Sequence, residues 1–231
     1  MKLPLSNRLL VCCSFVRQND RVADIGCDHG YLGIHLLQSG IASSVIAADI
    51  NEMPLQSAKE NAVKFGVQDR ISFYRSDGVQ QLPRDFDCMV CAGMGADTMI
   101  SILEAAPWLQ SSRFRLILQC QSKRPELRRY LAARGFSISR ETLAKDGKFI
   151  YPIMEVCYAP GEAPAPWEYY ITPQLVADGS PLLLPFLRRV IGGVEDTLLG
   201  QQHSGICDRE TEEIRRHLLE LERSIACDDS K

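Results

Sequence analysis

The sequence predicts an α/β protein with a mostly parallel seven-stranded sheet, followed by a C-terminal helical hairpin. Three observations support this prediction: strand-like and helix-like segments alternate five times, a hairpin signal follows them, and the last segments have helical apolar spacing. Alternation at this spacing indicates parallel strands that are joined by right-handed helical crossovers. A chain of 231 residues is long enough for one large core and an appendage.

The predicted strands are short apolar runs, and most of the predicted helices carry apolar residues at helical spacing. Parallel strands are expected at 21–26, 43–50, 70–75, 86–93 and 113–120. An antiparallel pair is expected within 136–159, around the turn signal Asp146-Gly147. Helices are expected at 5–17, 30–39, 52–66, 96–105 and 124–134.

The composition changes after Ala159. Three prolines within residues 160–167 predict a linker, because proline interrupts regular structure. Beyond the linker, apolar residues recur every three or four positions in 183–198 and again in 214–225, which is typical of two packed helices. We therefore expect a sheet domain at 1–159 and a linker with a helical hairpin domain at 160–231.

Overall composition predicts a cytoplasmic protein without membrane helices. No apolar run approaches the roughly 20 residues that a membrane helix needs, and the first twenty residues are expected to form a helix rather than a signal peptide. The nine cysteines are expected to be reduced and buried, and none has zinc-site spacing, so no metal is expected. The net charge of −3 argues against a wide nucleic-acid-binding face. Residues 121–148 are nevertheless locally basic.

The turn after the first strand has the pattern Asp24-x-Gly26-x-x-x-Gly30. The glycines allow a tight turn and a close approach of the ligand to the backbone. A dinucleotide loop would place a second glycine at position 28, whereas the Asp28 carboxylate there would repel a diphosphate. This disfavours a dehydrogenase and favours a cationic cofactor without phosphate, for which S-adenosylmethionine is the match.

Other predicted cofactor contacts follow the carboxyl ends of the strands. Asp49 is expected to accept hydrogen bonds from the ribose hydroxyls, and Asp77 from the adenine amino group. Arg8 is expected to reach the carboxylate of the donor. The remaining predicted cofactor contacts are Cys27, Ile50, Asn51, Gly78, Ala92, Gly93 and Met94.

Several motifs together resemble the bacterial tRNA (adenine(22)-N1)-methyltransferase family. They are "RVADIGCDHGYLGI", "AADINEMPLQSAKENA", "SDGVQQL", "CAGMGADTMISIL", "LILQ" and "LRRYLAARGF". The resemblance implies a Rossmann-like fold, S-adenosylmethionine as methyl donor and tRNA as partner. The chain departs from the family pattern at Gly33, where proline is usual, at Ala96, where glycine is usual, and at 119–122, where "QCQS" replaces Gln-Pro-Asn.

Methyl transfer to adenine N1 requires the base to leave its stack and favours a carboxylate nearby. We assign that role to Asp28; the alternative is that Asp28 binds only the ammonium group of the cofactor. His29 and Tyr31 are expected to contact the base. Phosphate contacts are expected at Lys123, Arg124 and Arg128.

Two other functions remain open from the sequence. One is methylation of a small molecule, and the other is non-catalytic RNA binding with a relic donor pocket. The protein is expected to be a monomer or a weak homodimer.

Overall fold

The computed structural model describes residues 3–204 and 208–228. A seven-stranded sheet forms its centre. Its strands are β1 (Asp20–Ile25), β2 (Ala42–Asp49), β3 (Ile71–Arg75), β4 (Cys88–Met94), β5 (Arg115–Cys120), β6 (Phe136–Asp146) and β7 (Phe149–Tyr158). The order across the sheet is β3-β2-β1-β4-β5-β7-β6. β7 pairs antiparallel with both β5 and β6, and all other neighbouring strands pair parallel. The predicted fold class is confirmed.

The described residues form eight α-helices. They are α1 (Asn7–Cys13), α2 (Tyr31–Gln38), α3 (Glu52–Lys64), α4 (Ala96–Glu104), α5 (Arg124–Ala133), α6 (Pro173–Ala177), α7 (Leu183–His203) and α8 (Arg209–Asp228). The first helix is shorter than the predicted 5–17. The five-residue α6 was not predicted, because a single turn has no repeated apolar spacing.

The sheet is buried on both faces. Successive residues of β1 alternate between the faces, so Val22 packs in one apolar cluster and Ala23 in the other. The Val22 cluster includes Leu36 of α2, and the Ala23 cluster includes Leu131 of α5. Burial on both faces explains why the parallel strands read as continuous apolar runs.

The C-terminal helices pack on the β6–β7 hairpin. Leu143 of β6 belongs to a third apolar cluster with Phe186 of α7 and Leu218 of α8. Residues 160–165 have no regular structure, and a 3₁₀ turn at Pro166–Tyr169 replaces the end of the predicted linker. The predicted domain division at residue 159 stays a prediction.

The cysteines are mostly buried and none of those described is in a disulfide. Six of the eight described thiols are buried, whereas Cys157 is half-buried and Cys227 is exposed, so the expectation of burial is wrong for these two. Cys207 lies outside the described residues. Within 3–204 and 208–228, no helix has both the length and the apolarity to cross a membrane.

Candidate functional site

A cleft of about 280 Å³ opens at the carboxyl ends of β1 and β4. These parallel strands are neighbours, and the chain continues from β1 to one side of the sheet and from β4 to the other. Open α/β sheets bind ligands at such a reversal of strand order. The cleft is lined by Arg8, Leu9, Asp24, Gly26, Cys27, Asp28, His29, Tyr31, Leu32, Ala92, Gly93 and Met94.

The turn after β1 depends on two glycines in the left-handed region. Gly26 has a φ of +70°, and a Cβ there would lie 2.3 Å from the terminal methyl of Met94. Gly30 has a φ of +72° and precedes the first residue of α2; its Cβ would lie 3.0 Å from the Cβ of Ala58. A side chain at either position would be strained by the positive φ, and at Gly26 the end of the Met94 side chain would also have to move, so glycine favours this close path.

Asp24 is a buried carboxyl group with an unsatisfied oxygen. The residue is 5% exposed, and no described residue hydrogen bonds to Oδ2. Burial raises the pKa of Asp24 from 3.8 to about 7; the Asp49 charge also raises it, and the Gly33 N–H opposes the shift. The carboxyl group is therefore poised to receive a cation from the cleft.

Gly33, which stands where proline is usual in the family pattern, lies close to this carboxyl group. Its backbone N–H lowers the pKa of Asp24, and a Cβ at position 33 would lie 2.8 Å from Cγ1 of Val45. A proline at this position would have no N–H to offer to Asp24. The residue at position 33 therefore influences the pKa of Asp24, which the sequence predicts to be a cofactor contact.

Asp49 joins the turns that follow β1 and β2. Its Oδ1 accepts from the backbone N–H of Asn51 at 2.9 Å, and its Oδ2 accepts from the N–H of Asp28 at 3.3 Å. Each carboxylate oxygen has two lone pairs, so acceptor capacity remains for a ligand. The neighbouring Ile50 is 55% exposed and presents apolar surface at the same edge.

Six of the thirteen predicted cofactor residues lie outside the cleft. The residues that do not line it are Gly30, Asp49, Ile50, Asn51, Asp77 and Gly78. Asp77 is exposed after β3, and its backbone N–H donates to Oε1 of Gln81 at 3.2 Å. Gly78 has a φ of +58° and packs closely against Ile102, so it serves the turn itself.

Asp28 and its neighbours form the rim of the cleft. The Asp28 side chain is 71% exposed, and its Oδ1 lies 3.6 Å from Nε2 of His29. The rings of His29 and Tyr31 are 5.7 Å apart between centroids. The structure thus separates two carboxyl groups that are four residues apart: Asp24 is buried, and Asp28 is open to a macromolecule.

Gln119 organises the opposite wall and was not predicted. Its Oε1 accepts from Nη1 of Arg8 at 2.7 Å and from the backbone N–H of Gly93 at 3.0 Å. Its Nε2 is buried and has no partner among the described residues. Arg8 also lies 3.4 Å from Asp146. The Gln119 amide therefore holds Arg8 against the tip of β4. The only sequence feature that indicated Gln119 is its position near the end of an apolar strand.

The three predicted phosphate contacts have different environments. Lys123 is exposed and pairs with Asp97 at 2.7 Å, while Arg124 is half-buried. Arg128 is only 3% exposed, and it donates to the carbonyl oxygens of Tyr169 and Tyr170 at 2.9 Å each and to Glu141. The prediction of a phosphate contact at Arg128 is wrong, because its guanidinium is buried and occupied within the protein.

A larger cavity lies elsewhere. It has a volume of about 360 Å³ between α5, β6 and residues 161–174. We place the functional site in the smaller cleft, because that one has the unsatisfied carboxyl oxygen and the glycine turn. Among the described residues, no cluster of His, Cys, Asp or Glu could hold a metal ion.

Comparison with known proteins yields one family and several relatives. A family model described as "Methyltransferase domain" matches residues 5–154. The tRNA (adenine(22)-N(1))-methyltransferase of Bacillus subtilis is 33% identical over 149 residues, which cover 64% of this chain and 63% of that protein. A ribosomal protein L11 methyltransferase of Exiguobacterium is 29% identical over 135 residues, which cover 58% of this chain and 43% of that protein.

A solved structure extends the likeness beyond the sheet. Streptococcus pneumoniae Sp1610, in complex with S-adenosyl-L-methionine, superposes with a TM-score of 0.81 at 27% identity and covers 93% of this chain and 99% of that chain. The sequence alignments cover a smaller part of each protein. The chain spans under two thirds of the length of the first curated relatives that it matches.

Proposed function

Because the chain belongs to the methyltransferase-domain family, we propose that it transfers a methyl group from S-adenosylmethionine to N1 of an adenosine in tRNA, at position 22 of the D-arm. The observation that carries this proposal is the unsatisfied, buried carboxyl oxygen of Asp24 beside an exposed Asp28. The first fits a cationic donor, and the second fits a substrate that approaches from solvent. The Bacillus subtilis relative and the tRNA (m1A22) methyltransferase assignment proposed for Sp1610 support the choice of substrate.

The residues of the cleft and of the strand ends beside it fit the donor in chemistry and in charge. When bound, S-adenosylmethionine supplies an electrophilic methyl group on a sulfonium. Asp24 would hold the ammonium group, and Arg8 would face the donor's carboxylate. Asp49 would accept from the ribose hydroxyls and Ile50 would contact the adenine, with Asp77 beyond it. The carbonyl edge at Ala92 and Gly93 would face the transferring methyl.

Asp28 would act on the acceptor. Methylation of N1 leaves a positive charge that is shared with the exocyclic amine, and a carboxylate at the rim stabilises that charge or accepts the amine proton. His29 and Tyr31 would contact the flipped base. Positioning of the base against the donor supplies the rest of the rate acceleration.

Asp28→Asn tests the catalytic assignment. We expect kcat to fall by about 100-fold or more, a typical effect of losing one preorganised electrostatic contact. Binding of S-adenosylhomocysteine, measured by calorimetry, should change less than about threefold, because the Asp28 side chain is exposed while the buried carboxyl group stays intact. Equal losses of turnover and binding would instead assign Asp28 to the donor.

Donor binding should depend on pH through Asp24. Its pKa of about 7 means that the carboxyl group is mostly protonated at pH 6.0 and mostly ionised at pH 7.5. An ammonium group binds the ionised form, so we expect the Kd of S-adenosylmethionine to be roughly five- to tenfold higher at pH 6.0. Calorimetry at the two pH values checks this. A Kd that does not change between them would contradict the role of Asp24.

The proposed reaction can be tested by identifying its methylated product. The protein is incubated with isotopically labelled S-adenosylmethionine and unmodified tRNA transcripts, and the labelled nucleoside is identified and mapped by mass spectrometry. We expect 1-methyladenosine at position 22. Substituting that adenosine by guanosine should abolish incorporation. Label in a small molecule or in ribosomal protein L11, with none in tRNA, would overturn the proposal, and binding of tRNA without any transfer would indicate a non-catalytic RNA-binding protein.

We also propose that the active species is a monomer or a weak homodimer. The cleft is complete within one chain, since its lining residues all come from the same sheet edge and from α1 and α2. Sedimentation of the protein across a tenfold concentration range, with and without tRNA, tests this.

A further inference from the structure

A second groove adjoins the donor cleft. It has a volume of about 320 Å³ and is lined by residues 121–124 after β5, by residues 149–151 at the start of β7, and by Arg189 of α7. The two sites share a wall: the backbone N–H of Gln121 donates to the carbonyl oxygen of Met94 at 2.8 Å. A molecule that extends out of the cleft along the tips of β4 and β5 therefore enters this groove.

The groove is positively charged and has no carboxylate among its lining residues. Lys123, Arg124 and Arg189 line it, and neither arginine has an ion pair within the described part of the chain. Burial lowers the pKa of Arg124, and the positive charges of Arg128 and Arg189 lower it further. Two guanidinium groups that repel each other across one concavity form a site for an anion.

An exposed aromatic ring lines the same groove. Phe149 is 37% exposed, although it is large and apolar. The guanidinium carbon of Arg189 lies 5.0 Å from the centroid of this ring, and the Tyr151 ring lies 6.1 Å away. Aromatic rings interleaved with cations bind unpaired nucleotides, because the ring stacks on a base while the cations contact the phosphate.

We propose that this groove holds the nucleotide next to the target adenosine. The inference rests on the proposed function. When the target base leaves its stack, the base beside it loses a stacking partner, and Phe149 replaces that partner. Arg124 and Arg189 bind the phosphate that joins the two nucleotides. The groove thus couples the C-terminal helix α7 to substrate positioning at the donor cleft.

Arg189→Gln and Phe149→Ala test this inference against the matched control Arg188→Gln. Arg188 precedes Arg189 on α7, but its Nε pairs with Glu222 at 2.7 Å, outside the groove. We measure the tRNA KM and kcat, the tRNA Kd by fluorescence anisotropy, the Kd of S-adenosylhomocysteine, and the melting temperature of each variant. The last two readouts detect damage to the donor cleft or to the fold.

The groove variants should raise the tRNA KM and Kd by about 5- to 50-fold, with donor binding unchanged. Arg189→Gln should also reduce the slope of log Kd against log salt by about one unit, whereas Arg188→Gln should behave as wild type. Equal tRNA binding by all three variants would overturn the proposed role of the groove. If wild type binds tRNA without methylating it, the proposed function fails. In that case the tRNA Kd values of the variants alone test whether the groove binds tRNA. Wild type that does not bind tRNA overturns both.

Discussion

Asp24→Asn should abolish donor binding while making the free protein more stable. Removing the buried carboxylate leaves the donor's ammonium group without its counter-charge, and we expect the Kd of S-adenosylmethionine to rise by about 100-fold or more. The same change removes a carboxyl group whose ionisation is costly in the folded chain. Calorimetry gives the first effect, and thermal unfolding without ligand gives the second.

The sign of the stability change follows from the direction of the pKa shift. The folded-state pKa of Asp24, about 7, lies above its ordinary value of 3.8. Stability is therefore highest when the group is protonated, and it falls as the pH rises from about 4 through 7. The unfavourable contribution at pH 8 is on the order of 4 kcal/mol. The melting temperature of Asp24→Asn should exceed that of the wild type by more at pH 8 than at pH 5.

Asp28→Asn is the control for this experiment. Its carboxyl group is exposed, so that variant should melt near the wild-type temperature at both pH values and should still be stabilised by S-adenosylhomocysteine. Wild-type donor affinity in Asp24→Asn would contradict the assigned site, and a lower melting temperature at pH 8 would contradict the unfavourable burial of its charge.

Arg128→Met should destabilise the protein by about 3–5 kcal/mol. Arg128 links α5 to the carbonyl oxygens of Tyr169 and Tyr170 and to Glu141 of β6, and Thr172 donates to the other oxygen of Glu141. Glu141 is 1% exposed, so the variant would leave a buried carboxylate without its counter-ion. Urea unfolding followed by circular dichroism measures the loss.

Two further variants separate the buried pair from an ordinary ion pair. Arg128→Met combined with Glu141→Leu should recover much of the stability, because no unpaired charge remains. Arg134→Met removes an exposed pair between the residue that follows α5 and Glu104 at the end of α4, and it should cost less than about 1 kcal/mol. A double variant as unstable as Arg128→Met, or equal losses at positions 128 and 134, would contradict this account.

The sequence predicts the sheet and the glycine turn because their signals are local. The apolar run of β1 ends in Asp24, and Gly26 and Gly30 adopt the left-handed conformations that their spacing indicated. The end of α3 is also close to its predicted position, since Lys64 ends this helix just before Gly66, whereas α1 is shorter than predicted. The family resemblance located the same edge of the sheet, and the methyltransferase-domain match covers it.

The errors arise where distant segments meet. Arg128 resembles a surface arginine in a basic stretch, and only the fold shows that Glu141 and residues 169–170 enclose it. Gln119 lies in an apolar strand, and its role depends on Arg8, more than one hundred residues earlier. Arg189 reaches the groove from α7, and the sequence pattern does not indicate which residues of the sheet domain this arginine faces. Local patterns carry no information about such partners.

Crystals grown with S-adenosylhomocysteine test the central claim most directly. We predict electron density for its ammonium group beside Asp24, for its ribose beside Asp49, and for its chain against Gly26 and Gly93. Density in the larger cavity between α5 and β6, with the cleft at β1 and β4 empty, would contradict the account.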